Sequence, residues 1–196
     1  MATIVSADEI KKTLPNYSPN RAEEFHHESA RQADKQFSRE LKISKEQFVI
    51  LMNGGTASGK TEFLVTHLAD EQCVIFDATQ STVDGAQNKI REIYHAKKKP
   101  IIYSVIPDDL NRAFNAFLNR DRKFSDTHFY RTHAKSRETL LWAAKRYPDI
   151  EINLIQSSYA NQKLQFSRLV FLNRNELIQY LESIQISETD IITLLT

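Results

Sequence analysis

The octapeptide at residues 54–61 constrains the fold of this chain more than any other feature. It reads Gly-Gly-Thr-Ala-Ser-Gly-Lys-Thr and matches the phosphate-binding pattern G-x-x-x-x-G-K-[ST], known as the P-loop. The apolar run at 48–52 predicts a buried strand before the loop, and apolar spacing predicts a helix after it, at about 59–69. This context is typical of a loop that binds nucleotide phosphates. The alternative is a glycine-rich turn without a ligand.

Each residue type in the loop suits one contact with a bound nucleoside triphosphate. Glycines leave room for backbone amides to surround phosphate oxygens, and the following helix directs the positive end of its dipole at the same anion. The lysine reaches the β- and γ-phosphates, and the final hydroxyl can coordinate Mg²⁺. We therefore expect ATP or GTP, with Mg²⁺, to bind Gly54, Gly55, Thr56, Ala57, Ser58, Gly59, Lys60 and Thr61.

Strand-like and helix-like segments alternate along the chain. Strands are predicted at 3–6, 48–52, 73–76, 101–106, 150–155 and 168–172, and the longer helices at 20–41, 83–97, 127–146 and 174–184. This alternation predicts an α/β protein of the P-loop NTPase class, with three layers. The sheet should be mostly parallel, with about five or six strands and helices on both faces. A length of 196 residues suits a single domain, with a lid region at about 119–137.

Composition excludes several other classes of protein. The formal net charge is only +1, so no overall basic field indicates a nucleic-acid partner. No apolar run reaches the roughly 20 residues that span a bilayer, and no signal peptide is recognisable. The chain has a single cysteine, which cannot form an intramolecular disulfide. We therefore expect a cytoplasmic protein without a membrane partner.

Several segments together resemble the zeta toxin family of P-loop kinases. In that family a strand ends near an aspartate and is followed by a short helix and a Pro-Asn-aromatic turn. Later elements of the family are a helix, a strand ending in an acidic residue and threonine, and an arginine-rich lid. The similar segments here cover about residues 3–140 and include Ile4 to Tyr17 (with Asp8 and Pro15-Asn16-Tyr17), His27 to Ala33, Val74 to Thr79, Arg120 to Ser125, and Arg131-Thr-His133.

The order of these segments differs from that of the family. In the family the P-loop unit comes first, whereas here the Asp8 strand and the long helix precede it. We therefore expect a permuted arrangement in which the Asp77 strand lies beside the P-loop strand and the Asp8 strand lies outside both. The carboxyl ends of all three strands would then meet at the edge where α/β sheets bind ligands.

The resemblance implies roles for three residues on the acceptor side. Asp8 would accept the proton of the substrate hydroxyl or orient that hydroxyl. Asp77 and Thr79 would contact the acceptor, and Asp77 would bind Mg²⁺ through its water shell together with Thr61. The alternatives are that Asp8 only caps a helix N-terminus, and that Asp77 and Thr79 only form a turn.

The resemblance also implies roles for charged residues further from the loop. Arg120, Arg122 and Lys123 would stabilise the charge of the transferred phosphoryl group, with Arg131 behind them. They could instead form a solvated basic helix end. Glu28 and Arg31 would reach the acceptor, or could form only a surface ion pair.

The activity implied by the resemblance is transfer of the γ-phosphate of ATP or GTP to a hydroxyl of a nucleotide-type acceptor. By resemblance the acceptor is UDP-N-acetylglucosamine, and the protein is a toxin with an antitoxin partner. Two departures concern acceptor binding: Asp77 stands where the family usually has glutamate, and Gln80 and Ser81 stand where it often has arginine. Two alternatives are a regulatory or degenerate nucleotide-binding module that acts on a protein partner, and a polynucleotide 5′-hydroxyl kinase.

Overall fold

A computed structural model describes residues 1–160 and 163–196, and the strands in these residues form one sheet. Along the sheet the strands follow the order first, third, second, fourth, fifth, sixth. All neighbouring pairs are parallel except the last, which is antiparallel. The strands are β1 (Thr3–Ser6), β2 (Phe48–Asn53), β3 (Val74–Asp77), β4 (Lys99–Pro107), β5 (Glu151–Ala160) and β6 (Lys163–Leu169).

Helices connect the parallel strands and cover the sheet. A 3₁₀ turn at Pro19–Arg21 precedes the second helix, and a π-helical turn at Leu64–Leu68 continues the third. The helices are α1 (Ala7–Lys12), α2 (His26–Ile43), α3 (Lys60–Phe63), α4 (Val83–His95), α5 (Leu110–Leu118), α6 (Asp126–Arg146), α7 (Arg174–Ser183) and α8 (Glu188–Leu195). Among the described residues, no helix combines the length and the apolar character needed to cross a membrane.

Side chains of β2 alternate between two apolar clusters on opposite faces of the sheet. Val49 and Leu51 belong to the cluster formed with α2, α4, α6 and α7, whereas Ile50 and Met52 belong to the cluster formed with α3 and its π-helical continuation. All four residues are buried, as expected for a central parallel strand. The expected α/β fold, with helices on both faces of a mostly parallel sheet, is confirmed.

The order of β1, β3 and β2 matches the permuted arrangement expected from the sequence. Strand β3 lies between the other two, and β1 is the outer strand. Ser6 of β1 pairs with Asp77 of β3, while Leu51 of β2 pairs with Phe76. The carboxyl ends of these strands therefore lie side by side. This register places the start of α1 and the loop after β2 at the same edge.

Some element boundaries differ from the sequence prediction. Strand β5 extends to Ala160 and pairs with β6, whereas the sequence predicted the last strand at 168–172. Polar residues alternate along β6, which is typical of an edge strand with one solvated face. Helix α2 begins at His26 because the preceding residues form turns. Helix α8 was not predicted; its N-terminus carries a capping box between Ser187 and Asp190.

Candidate functional site

The loop between β2 and α3 has the curled backbone expected of a phosphate-binding loop. Gly54, Ala57 and Gly59 have φ values of 133°, 59° and 89°. A Cβ atom at position 54 would lie 2.3 Å from the carbonyl oxygen of Val105, so only glycine fits there. The buried ammonium of Lys60 donates hydrogen bonds of 2.8 Å to the carbonyls of Gly54 and Gly55. The loop therefore surrounds its own lysine.

A cleft of about 420 Å³ opens above the carboxyl ends of β1 and β3, with this loop at one end. Helices α2 and α4 and the segment before α6 form its walls. The expected site residues that line it, besides Thr56, Ala57 and Ser58 of the loop, are Asp8, Lys60, Thr61, Asp77, Thr79, Arg120 and Arg122. The structure thus brings the carboxylate of Asp8, which follows the outer strand, and the phosphate-binding loop into one cavity.

Asp8 lies in the first turn of α1 and contacts two cations. Its Oδ2 atom is 2.5 Å from Nη1 of Arg122, and its Oδ1 atom is 3.4 Å from Nζ of Lys11. Burial raises the pKa of Asp8, but Arg122 and Lys11 lower it further, so the net shift is downward. The carboxylate is therefore ionised at neutral pH. The N-cap of α1 is Ser6, and within the described residues the carboxylate of Asp8 contacts side chains, which argues against a capping role.

Asp77 and Lys60 influence each other across the cleft. Burial raises the pKa of Asp77, and the positive charge of Lys60 partly offsets this rise. Burial lowers the pKa of Lys60 to about 8, and the negative charge of Asp77 partly offsets this fall. Asp77 also accepts a hydrogen bond of 3.3 Å from Ser6 Oγ. Thr61 is exposed and lines the cleft beside Lys60. This set fits a Mg²⁺ ion, which proteins usually bind through one or two side chains together with substrate phosphates.

No group of three or more His, Cys, Asp or Glu side chains in residues 1–160 and 163–196 is arranged to hold a metal ion.

Thr79 connects the end of β3 to the loop, because its carbonyl accepts a hydrogen bond of 3.2 Å from the amide of Gly54. Its hydroxyl donates to Ser81 Oγ at 3.2 Å. Thr79 therefore links the end of β3 to the phosphate-binding loop, and it also lines the cleft.

Four of the expected acceptor residues do not line the cleft. Glu28 and Arg31 form an ion pair of 2.7 Å with each other. The residues of α2 that line the cleft are instead His26, Ala30, Ala33 and Asp34, and the helical repeat directs positions 28 and 31 elsewhere. Lys123 donates to the carbonyl of Leu118 at the end of α5, and Arg131 is exposed on α6. The structure therefore does not bring these four residues into the cleft with Asp8 and the phosphate-binding loop.

A group of residues around Asp8 was not predicted from the sequence. Lys11 is fully buried, and its ammonium lies 4.6 Å from the centre of the Phe124 ring. Phe124 stacks on His128 at 4.5 Å, and His26 meets His128 edge-on at 5.6 Å. Burial lowers the pKa of His128 to about 4 and also lowers that of His26. Both rings are neutral at physiological pH, so this wall of the cleft is aromatic and uncharged. Only the spacing of Asp8 and Lys11, one helical turn apart, was visible in the sequence.

The far end of the cleft contains a buried lysine whose positive charge is balanced by two carboxylates. Buried Lys89 lies 3.0 Å from the carboxylate of Asp34 and 2.9 Å from that of Glu92. Its ammonium also lies 5.3 Å from the ring centre of Phe76. With two carboxylates against one ammonium, this end of the cleft is acidic, and Lys89 is not free to bind a phosphate.

A second cavity of about 190 Å³ lies on the other side of the loop. The β5–β6 hairpin contributes Tyr159 and Leu164, and α5 contributes Arg112. Ala57 and Arg120 border both cavities. The phosphate-binding loop therefore separates two spaces, one beside Asp8 and one beside the hairpin.

Comparisons with known proteins identify the fold. No family model matches the chain, and no curated protein matches it. The crystal structure of AvrRxo1-ORF1:-ORF2 with ATP superposes with a TM-score of 0.56 at 12% identity, covering 88% of this chain and 74% of that one. The complex with sulphate ions gives 0.53 at 12% identity, covering 88% and 75%. The native complex gives 0.52 at 11%, covering 85% and 73%. At such identities the likeness shows a shared fold, and the resemblance to zeta toxins is not confirmed.

Proposed function

We propose that this protein is a kinase that transfers the γ-phosphate of ATP, or of GTP, to a hydroxyl group of a nucleotide-type acceptor. The observation that carries the proposal is that Asp8, in the first turn of the helix after the outer strand, lies in the same cleft as Lys60 and Thr61 of the phosphate-binding loop. Nucleotide binding alone needs only the loop. A carboxylate that faces the loop across an open cleft is what transfer to a hydroxyl requires in addition.

The donor side is supported by the loop itself. Positive φ angles at Gly54 and Gly59 give the loop backbone its curled shape. The ammonium of Lys60 now binds loop carbonyls and would move from them to phosphate oxygens. Mg²⁺ would be held by Thr61 with Asp77 nearby and would neutralise phosphate charge. A structure of the same fold has been solved with ATP, which is consistent with this donor.

The two cavities suit an in-line reaction. In-line transfer requires the acceptor oxygen and the leaving oxygen on opposite sides of the phosphorus atom. The cleft beside Asp8 would hold the acceptor, and the cavity beside the hairpin would hold the nucleoside of the donor. Arg120 borders both spaces and would reach the transferred group between them.

Asp8 and Arg122 would share the chemical step. The acceptor hydroxyl oxygen forms a bond to the γ-phosphorus while the bond to the bridging oxygen breaks, and the nucleoside diphosphate leaves. Asp8, which is ionised, would orient the hydroxyl and accept its proton. Arg122 now pairs with Asp8 at 2.5 Å and would stabilise the negative charge that develops on the phosphoryl oxygens.

The uncharged ring wall favours a nucleotide-type acceptor. His26 and Phe124 offer aromatic surface beside Asp8, on which a base can stack. UDP-N-acetylglucosamine, the acceptor implied by the zeta toxin resemblance, is the first candidate. A toxin role, with a second protein as antitoxin, is consistent with neighbours that were solved as two-component ORF1:ORF2 complexes.

The test is transfer of labelled γ-phosphate from ATP or GTP into a panel of acceptors. The panel should contain nucleotide sugars, dinucleotides, nucleosides and a 5′-hydroxyl oligonucleotide. We expect a labelled product with one acceptor class, and at least a hundredfold less with Lys60→Ala. If Lys60→Ala transfers phosphate as fast as the wild type, the proposed function is wrong. ATP binding without any labelled acceptor would instead favour a regulatory nucleotide-binding module.

A further inference from the structure

Three side chains hold Thr56, the middle of the phosphate-binding loop, and each binds a different polar group. The backbone amide of Thr56 donates to Thr132 Oγ1 at 3.1 Å. Nε2 of His133 lies 2.8 Å from the backbone carbonyl of Thr56. Nη1 of Arg120 donates to the Thr56 hydroxyl at 3.0 Å. All three partners belong to residues 119–137, the region that the sequence marks as the lid.

Thr132 and His133 are consecutive residues near the start of α6 and hold both backbone groups of Thr56. Thr132 Oγ1 donates its own proton to the carbonyl of Phe129 at 3.1 Å, which leaves its lone pairs free for the Thr56 amide. With both groups bonded, the peptide planes on either side of Thr56 cannot rotate freely. The directions of the neighbouring loop amides, which must converge on phosphate oxygens, therefore depend on α6.

The protonation state of His133 follows from its partners. A carbonyl oxygen only accepts, so Nε2 must carry the proton and donate it to Thr56. Nδ1 then has a free lone pair, and Nη1 of Arg137 lies 3.4 Å from it. Burial and the charge of Arg137 lower the pKa of His133 well below its usual range, in agreement with a neutral ring.

The ring of His133 also explains the second glycine of the loop. A Cβ atom at position 55 would lie 2.4 Å from Cγ and Nδ1 of His133. The ring is fully buried and packs on Phe129 at 4.2 Å, so it has no room to retreat. Gly55 and His133 therefore fit each other, because a residue other than glycine at position 55 would keep the loop further from α6.

We propose that Thr132 and His133 are positioning residues that set the phosphate-binding loop for nucleotide through Thr56. The inference rests on the proposed function for its nucleotide, whereas the contacts themselves can be tested without nucleotide. Neither residue touches the cleft, so neither is catalytic. The same contacts fix Arg120, because the Thr56 hydroxyl to which it donates is held in place by the two backbone bonds.

The test compares matched substitutions on α6. Thr132→Val keeps the shape of the side chain and removes the acceptor, whereas Thr132→Ser keeps the acceptor. His133→Asn cannot reach the Thr56 carbonyl, whereas His133→Gln places an amide nitrogen close to the position of Nε2. Thr139→Val is the control, since Thr139 is a buried threonine two turns along the same helix and, within the described residues, lines a small cavity with Asn53 without lining either cavity beside the loop.

Three quantities are measured for each variant: the Kd of MgATP by calorimetry, the Tm, and the hydrogen exchange of residues 54–61 without nucleotide. We expect Thr132→Val and His133→Asn to weaken MgATP binding about three- to tenfold and to speed exchange in the loop. Thr132→Ser and His133→Gln should stay within about twofold of the wild type. Thr139→Val should leave both the Kd and the loop exchange unchanged.

Two results would overturn the inference. One is unchanged exchange in residues 54–61 and unchanged MgATP affinity in Thr132→Val and His133→Asn. The other is equal loss in all variants, Thr139→Val included, in proportion to the fall in Tm, which would show that α6 contributes only general stability. Failure of the wild type to bind either MgATP or MgGTP would contradict the proposed function instead, and the exchange data would still decide whether α6 holds the loop.

Discussion

Replacing Asp8 with asparagine removes a charge that the structure uses in two ways. The carboxylate is the expected partner of the acceptor hydroxyl, and it also compensates Lys11, whose side chain is 0% exposed, and Arg122, which is 25% exposed. Removing one partner of a fully buried ion pair costs about 3–5 kcal/mol. Because the Asp8 side chain is 43% exposed, water can replace part of the interaction. We expect a loss of about 2 kcal/mol, or about 4–8 °C in Tm.

A second substitution separates this loss of stability from the chemistry. Lys11→Met removes the buried ammonium and keeps a long apolar side chain against Phe124. The double variant Asp8→Asn/Lys11→Met should therefore recover most of the lost Tm. Phosphate transfer should stay reduced by about 10²–10⁴-fold in both variants, which is the usual contribution of a general base.

The assay combines thermal unfolding with transfer of labelled phosphate to the best acceptor of the panel, for the wild type, both single variants and the double variant. Turnover by Asp8→Asn within threefold of the wild type would refute the catalytic role of Asp8. A double variant as unstable as Asp8→Asn alone would refute the electrostatic argument, because the lost stability would then come from another source than uncompensated Lys11.

Three further predictions concern single residues. Since burial lowers the pKa of Lys60 to about 8, MgATP affinity should fall above pH 8 by up to about tenfold per pH unit. Between pH 8 and the ordinary lysine pKa of 10.5, Lys60 is protonated in the unfolded chain and deprotonated in the folded one. The free energy of unfolding should therefore rise with pH in this range, and Lys60→Met should remove this rise. Gly55→Ala should abolish MgATP binding and lower the free energy of unfolding in urea by about 1–3 kcal/mol, because the new methyl group would overlap His133. Normal MgATP binding by this variant would show that the loop can move away from His133. Burial raises the pKa of Cys73 to about 11, so iodoacetamide at pH 8 should label it only after unfolding, and fast labelling of the native protein would contradict its burial.

The sequence predicted the features that depend on short-range patterns. The loop at 54–61 has a fixed order of residue types, and the apolar runs around it specify the central strands. Asp8 and Asp77 line the same cleft because Asp8 follows β1 and Asp77 ends β3, and parallel strands align their carboxyl ends. Neither conclusion needed knowledge of side-chain packing.

Side-chain packing decides the features that the sequence did not show. The rotation of α2 about its axis determines that Asp34 faces the cleft and that Glu28 does not, and this rotation is set by contacts with other elements. Burial of polar residues such as Lys11 and His133 depends on partners distant in the chain: His133 binds Thr56, 77 residues away. The last strand was predicted at 168–172 instead of Lys163–Leu169 because an edge strand with one solvated face has a weak apolar pattern.

The position of β1 in the sheet explains why a permuted order is compatible with the same site. An outer strand pairs with a single neighbour, here β3, and β1 has only four residues. Its connection to the rest of the chain can change without disturbing the strands that build the loop. The strand that leads to Asp8 is therefore held in the sheet by one neighbour only, and the ion pair of Asp8 with Arg122 supplies further restraint from the lid region. We therefore expect nucleotide binding to depend on the centre of the sheet, and phosphate transfer to depend on Asp8, which follows an edge strand and is held in place by Arg122 and Lys11.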